Sequence, residues 1–140
     1  MPLSRSEMDA KIAEHMAFEA NDDVEGVLAT LTDDVEHDIV GNPAGPTRGR
    51  EGARPFYEAL FNDLSESRFE TVRRLYGADF VVDEAIWHGR APGRPFGIEG
   101  RNRALSFRLL HVMEFADGGQ IRRENVWVDL GAILRQLPAE

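Results

Sequence analysis

The sequence predicts an α+β domain with three helices in the N-terminal half packed on a strongly curved, mainly antiparallel sheet, and three observations carry this expectation. Apart from a short strand over 35–40, apolar residues recur every three or four positions as far as residue 64 and at every second position beyond it. Ala116-Asp117-Gly118-Gly119 separates two alternating runs, as a tight hairpin requires. The 140 residues suffice for one domain and fall short of two, and neither a repeat nor a linker divides them.

The elements follow in order. Ser6, with Asp9 three positions on, is the candidate N-cap of a first helix over 6–20, whose stripe runs Met8, Ile12, His15/Met16, Glu19. Asp22 and Asp23 suit the start of a second helix over 22–32, with Val24, Val27, Leu28 and Leu31 on one side. A short strand over 35–40 ends at Gly41-Asn42-Pro43. Phe56, Leu60 and Leu64 mark a third helix over 50–64. Strands are then expected over 68–76, 80–88, 103–115 and 121–129, with 89–100 as a Gly/Pro-rich loop and 130–137 as a two-turn tail helix.

Composition removes whole classes of function. A formal charge of −9, with 16 basic residues scattered among 25 acids, excludes nucleic acid as a default partner. With no Cys there is no disulfide scaffold, thiolate nucleophile or Cys-ligated metal. No window approaches the ~18–20 apolar residues that span a bilayer, and the start lacks a signal-peptide core, so a cytoplasmic protein without a membrane partner is expected. Neither GxGxxG, a P-loop nor GxSxG occurs, so nucleotide cofactors and serine hydrolysis fall away.

Histidines interrupt three apolar faces. In Phe107–Phe115, alternation places His111 among Phe107, Leu109, Met113 and Phe115. His37 stands in the same way between Val35 and Ile39, and His15 lies on the stripe of the first helix. A histidine so placed is either a satisfied core residue or the lining of a cavity, where burial and a partner tune its proton affinity. His88, at a strand end beside Gly89, reads as solvated. No HExxH or paired-His spacing supports a metal among these histidines.

Carboxylates supply the other half of acid/base chemistry. Asp129 closes the last strand two residues after Trp127 and four after Asn125, so all three share a face, and an acid beside Trp is a place where a base is kept partly dry. Its other reading is an N-cap for the tail helix. Asp38 and Glu36 lie opposite His37 unless a bulge reverses them. Tyr57 and Tyr76 are further hydrogen-bond donors.

Asn21–Leu28 followed by Leu31–Val35 resembles the helix-to-strand entry of the nuclear transport factor 2-like superfamily, which includes ketosteroid isomerase. Gly49–Tyr57 is similar to its third helix, and His111–Phe115 with Asp117–Ile121, Val128-Asp129 and Leu134–Leu137 resembles the SnoaL-like polyketide cyclase branch. The resemblance implies a cone-shaped α+β barrel around an apolar pocket. Matched by position, the isomerase base falls on Asp38 if one gap is allowed, its oxyanion tyrosine on His15 and its protonated aspartate on His111, so the isomerase pair itself is replaced by two histidines. The cyclase acid resembles Asp129.

The resulting expectation is a small-molecule enzyme, cyclase-like or isomerase-like, that removes a proton next to a carbonyl without a cofactor. Asp129 or Asp38 is the candidate base, with His111, His15 and His37 as donors or proton carriers. Trp127, Phe107, Leu109, Met113, Asn125 and Tyr57 are the candidates for holding an apolar cyclic substrate. A ligand binder without turnover is the alternative, and an epoxide hydrolase, echoed by Arg123 near Asp129, the remaining one. His111, His15 and Asp129 are expected to meet in one cavity. A homodimer is expected through a convex sheet face carrying Arg74, Tyr76, Leu110, Val112, Val126 and Val128.

Overall fold

Helix α1, Arg5–Ala20, starts one turn-position earlier than its sequence suggests because Ser4, and not Ser6, caps it. Ser4 accepts from the Glu7 amide and Glu7 from the Ser4 amide, both at 3.1 Å, so two otherwise orphaned amides are satisfied reciprocally. Asp9 is unavailable for capping, since its carboxylate takes bonds from Arg74 and Tyr76. The computed structural model describes residues 2–139. None of its helices is long and apolar enough to cross a membrane.

Helix α2, Val24–Ala29, is capped by Asp23, which accepts from the Gly26 amide at 2.9 Å. It stops short of the expected residue 32, and strand β1, Leu31–Ile39, begins there. The reason is tertiary: Leu31 pairs with Ile121, both are buried, and the Ile121 amide bonds the Thr30 carbonyl. Strand β2 is only Thr47–Arg48, too short to announce itself, and α3 follows as Arg50–Asp63.

Four long strands come next: β3, Ser65–Tyr76; β4, Phe80–Ala91; β5, Arg103–Phe115; and β6, Ile121–Val128. Helix α4, Leu130–Gln136, closes the chain. Strand β4 runs past His88 into the expected loop. Gly89 permits this, because any Cβ there would strike the Ser65 carbonyl and the Trp87 ring.

The strand order is β2-β1-β6-β5-β4-β3, with β1 parallel to β6 and every other pair antiparallel. The sheet keeps two edges and is not closed, so the expected barrel is an open sheet with four helices packed on it. Register shifts interrupt β1, β3 and the β5–β6 pair, where unmatched residues bend a strand. Two rows of the sheet matter for the site. One aligns Arg74, Asp83, His111 and Val126 across four strands; the next aligns Tyr76, Val81, Met113 and Glu124.

These rows correct the expected outer face. Arg74 and Tyr76 reach Asp9 of α1 and therefore point inward, and Val126 and Val128 line the interior. The outer rows hold Leu110 beside Trp127, and Leu75, Val82 and Val112 beside Asn125. The inner core has two parts. Met8, Ile12, Val27, Leu31, Met113 and Ile121 pack at the α1 and α2 end, and Trp87, Phe107, Leu109, Val126 and Ile133 at the other.

Candidate functional site

Glu124 occupies the centre of the buried polar cluster, and sequence analysis did not single it out. An irregularity in the β5–β6 pairing near Phe115 shifts the alternation of β6, so that Ile121, Glu124, Val126 and Val128 face inward. A visible signal existed: an acid alternating with two valines is the same kind of interruption that singled out His111. The opposite face then receives Asn125, Trp127 and Asp129.

Four elements converge on Glu124. Tyr57 of α3 donates its hydroxyl to Oε2 at 2.9 Å. His15 of α1 places Nε2 3.5 Å from the same oxygen and 3.0 Å from Glu19 Oε2, its neighbour one helical turn on. His37 of β1 brings Nε2 to 3.9 Å from Oε2, and His111 of β5 brings Nε2 to 3.9 Å from Oε1. All of these side chains are nine-tenths buried or more. On its far side His111 Nδ1 lies 3.8 Å from Asp83 Oδ2, while Arg74 Nε donates to Asp83 Oδ1 at 2.6 Å and Arg74 also donates to Asp9 at 2.9 Å. A polar row thus runs from the interior to the surface.

Thr30, the C-cap residue of α2, settles the tautomer of His15. Its hydroxyl donates to the Val27 carbonyl at 2.6 Å, so it can only accept from His15 Nδ1–H, 2.7 Å away. Burial opposes charge on His15, but Glu124 and Glu19 outweigh it and raise the imidazole to about 10. Burial likewise opposes ionisation of Glu124, and His15, ahead of His37 and His111, overcomes it and holds the carboxyl well below the usual range. Desolvation wins at His37 and lowers its proton affinity despite Glu124. Burial, then the charges of Glu124 and Glu19, push the Tyr57 phenol well up. Asp83 is disfavoured by burial, yet His111 and Arg74 keep it below the ordinary carboxylate value.

Glu19, His111 and Glu124 form the polar inner end of a narrow pocket whose walls are apolar. Trp87 and Phe107 stack with centroids 5.2 Å apart, and Phe96 meets Phe107 edge-on at 6.1 Å. Leu109, Val126 and Phe56 complete the walls. Outside lies a wider groove between residues 40–45, α3 and residues 94–97, with His37 in its lining. Pocket and groove share Ile39, Phe56, Leu60, Phe96 and Val128, so the groove is the approach to the pocket.

The structure brings His15, His37, His111 and Tyr57 together and sets Phe107 and Leu109 in the pocket wall. Asp129 does not join them. It lies on the opposite face, exposed, and its Oδ1 accepts from the Ala132 amide at 3.0 Å as the cap of α4. Asn125 and Asp38 also face away and bond each other at 3.2 Å. Trp127, 41% exposed, belongs to the outer face. Met113 is buried in the α1-end core, away from the pocket lining. Arg123 pairs with Glu36 and Asn125, so the Asp–Arg–Asp echo is absent around Asp129. His88 contacts Ser106 and Glu70 on the surface side.

Comparison with known proteins gives the same frame. The profile of the SnoaL-like polyketide cyclase family matches residues 9–137. The fold is similar to that of TsrD from Streptomyces laurentii, at 23% identity over 99% of each chain with a TM-score of 0.83. It is also similar to SalBIII, an epoxide hydrolase/cyclase-like enzyme in pyran ring formation of salinomycin, at 14% identity over 92% of this chain and 95% of that one, with a TM-score of 0.76. A protein of ketosteroid isomerase-like fold from Catenulispora acidiphila DSM 44928, in complex with trimethylamine, matches at 14% identity over 91% of each chain, with a TM-score of 0.73. At these identities the structural likenesses establish the fold alone. Among curated proteins, none matches this chain.

Proposed function

The chain belongs to the SnoaL-like polyketide cyclase family, and on that premise we propose that it moves a proton next to a carbonyl of a small, apolar, cyclic substrate that sits in the outer groove and reaches with its carbonyl end into the narrow inner pocket. The observation that carries this reading is His111, set at the polar end of an apolar pocket between Asp83 at 3.8 Å and Glu124 at 3.9 Å. Neither gap is a hydrogen bond. His111 is therefore oriented by two carboxylates without being locked to either.

In this reading His111 accepts the proton from the carbon next to the carbonyl. The carboxylates on both sides stabilise the imidazolium that forms, as a buried acid does for the histidine of a hydrolytic triad. Glu124 can serve because Tyr57 and His15 hold it ionised from behind. Trp87, Phe107 and Leu109 wall the narrow inner end and exclude water, which strengthens every charge interaction there, while the ring of the substrate lies in the wider groove outside. Asp129 and Asp38, the two bases expected from sequence, have no part in it.

The test is hydrogen–deuterium exchange at the α-carbon of cyclic ketones and cyclic β-keto esters, followed by mass spectrometry. Wild type is expected to accelerate exchange, and His111→Gln to lower that acceleration by roughly 10²–10⁴-fold. Exchange that is unchanged in His111→Gln removes the assignment. Saturable binding of these compounds with no exchange makes the protein a binder.

A further inference from the structure

The inner polar cluster has the form of a cation site. We propose that His15 Nε2, Glu19 and Glu124 bind one divalent transition-metal ion, with His37 Nε2 as the fourth donor at hand. This inference does not depend on the proton-transfer role of His111.

Tautomer comes first. Because the Thr30 hydrogen is committed to Val27, His15 must carry its hydrogen on Nδ1, and Nε2 is the atom left to face the two carboxylates. A metal-binding imidazole is held in this way, one nitrogen donating to a fixed acceptor while the other bonds the ion. Spacing agrees. His15 Nε2 lies 3.0 Å from Glu19 Oε2 and 3.5 Å from Glu124 Oε2, and one ligand atom from each of the three residues falls within 4.8 Å of the others. Donors about 2.0–2.1 Å from a tetrahedral zinc are about 3.3–3.4 Å apart, so small side-chain shifts would suffice.

A second observation is independent of spacing. His15 Nε2, Glu19 Oε2 and His37 Nε2 are buried without a hydrogen-bond partner, the 3.0 Å His15–Glu19 contact being poorly aligned for one. Such orphans are costly, and a shared cation satisfies all three at once. Imidazole with carboxylate suits zinc, manganese and iron(II) and gives no advantage to calcium or magnesium. Glu19 and Glu124 both line the pocket, so a coordination position left open would face it, where a substrate carbonyl oxygen can be polarised.

The experiment strips the full-length protein with a chelator and titrates it with zinc sulfate by calorimetry, and with cobalt(II) chloride by visible absorption. Wild type is expected to bind one equivalent, with cobalt bands of a four- or five-coordinate ion. Glu19→Gln, nearly isosteric, should weaken binding at least 100-fold, and Thr30→Val by about 10–100-fold through the freed imidazole. His88→Ala, which removes the surface His–Glu70 pair, should bind as wild type does. No saturable binding by wild type overturns the proposal. So does binding that survives Glu19→Gln in a protein of unchanged circular dichroism, or binding that His88→Ala abolishes. The two proposals fail separately, since α-carbon exchange lost in His111→Gln stands whatever the titration shows.

Discussion

The Tyr57 hydroxyl donates to Glu124 Oε2 at 2.9 Å, tying α3 to β6 across 67 residues of sequence in a place where neither side chain meets water. A hydrogen bond to a buried charge contributes about 1.5–3 kcal/mol. Tyr57→Phe is therefore expected to lower unfolding free energy by about that amount in urea denaturation. Glu124→Leu should cost more, about 3–5 kcal/mol, because it leaves the Tyr57 hydroxyl buried without an acceptor and removes one of the two carboxylates that face His15. If Tyr57→Phe is neutral, the bond does not help to hold the helix on the sheet.

Acid stability should respond to Asp83. Its folded value is depressed, by His111 and Arg74 against the effect of burial, so its contribution is fully present above the ordinary carboxylate value near 4 and disappears as pH falls through its own lower one. The stability difference between wild type and Asp83→Asn is expected to be constant from about pH 7 to 5 and to shrink below about pH 4. Urea titrations across that range check it, and a difference independent of pH contradicts it.

Asp129 separates capping from catalysis. Asp129→Asn keeps a capping side chain and should leave both stability and α-carbon exchange unchanged. Asp129→Ala should cost about 0.5–2 kcal/mol through α4 while leaving exchange as in wild type. Loss of exchange in the folded Asn variant would restore Asp129 as the base.

We propose a homodimer through the outer sheet face. Leu110, Trp127, Leu75, Val82 and Val112 share that face, with Trp127 at 41% and Leu75 at 47% exposure, while the helices cover the inner one. An exposed apolar face of this kind suits a two-fold pair. Sedimentation velocity at micromolar concentration should give twice the chain mass, and Trp127→Glu should give the monomer. A monomeric wild type ends the proposal.

Local pattern revealed the inward histidines because each interrupts an apolar period, and His111, His37 and His15 all lie inside. Asn125, Trp127 and Asp129 do share a face, but a register irregularity near Phe115 and Ile121 makes it the outer one, so Asp129 is not the inward acid. One shifted residue exchanges the faces of a strand, sending Glu124 inward and Asp129 out. Asp83 was passed over although it alternates with the buried Val81 and Ala85, which is the same signal at another position.

By itself, the sequence determined the order of the helices and of every strand except the two-residue β2, the antiparallel hairpins and the identity of three buried histidines, since periodicity and turn chemistry are local properties of the chain. Tertiary structure decided the start of β1, the parallel pairing of β1 with β6, the open sheet and the acid at the centre of the site. Each of these depends on which distant residue comes opposite: Ile121 against Leu31, Arg74 against Asp83, Glu124 against Tyr57 and His15. Glu124 reaches the centre of the cluster through burial beside His15, and burial is a property of the packed chain.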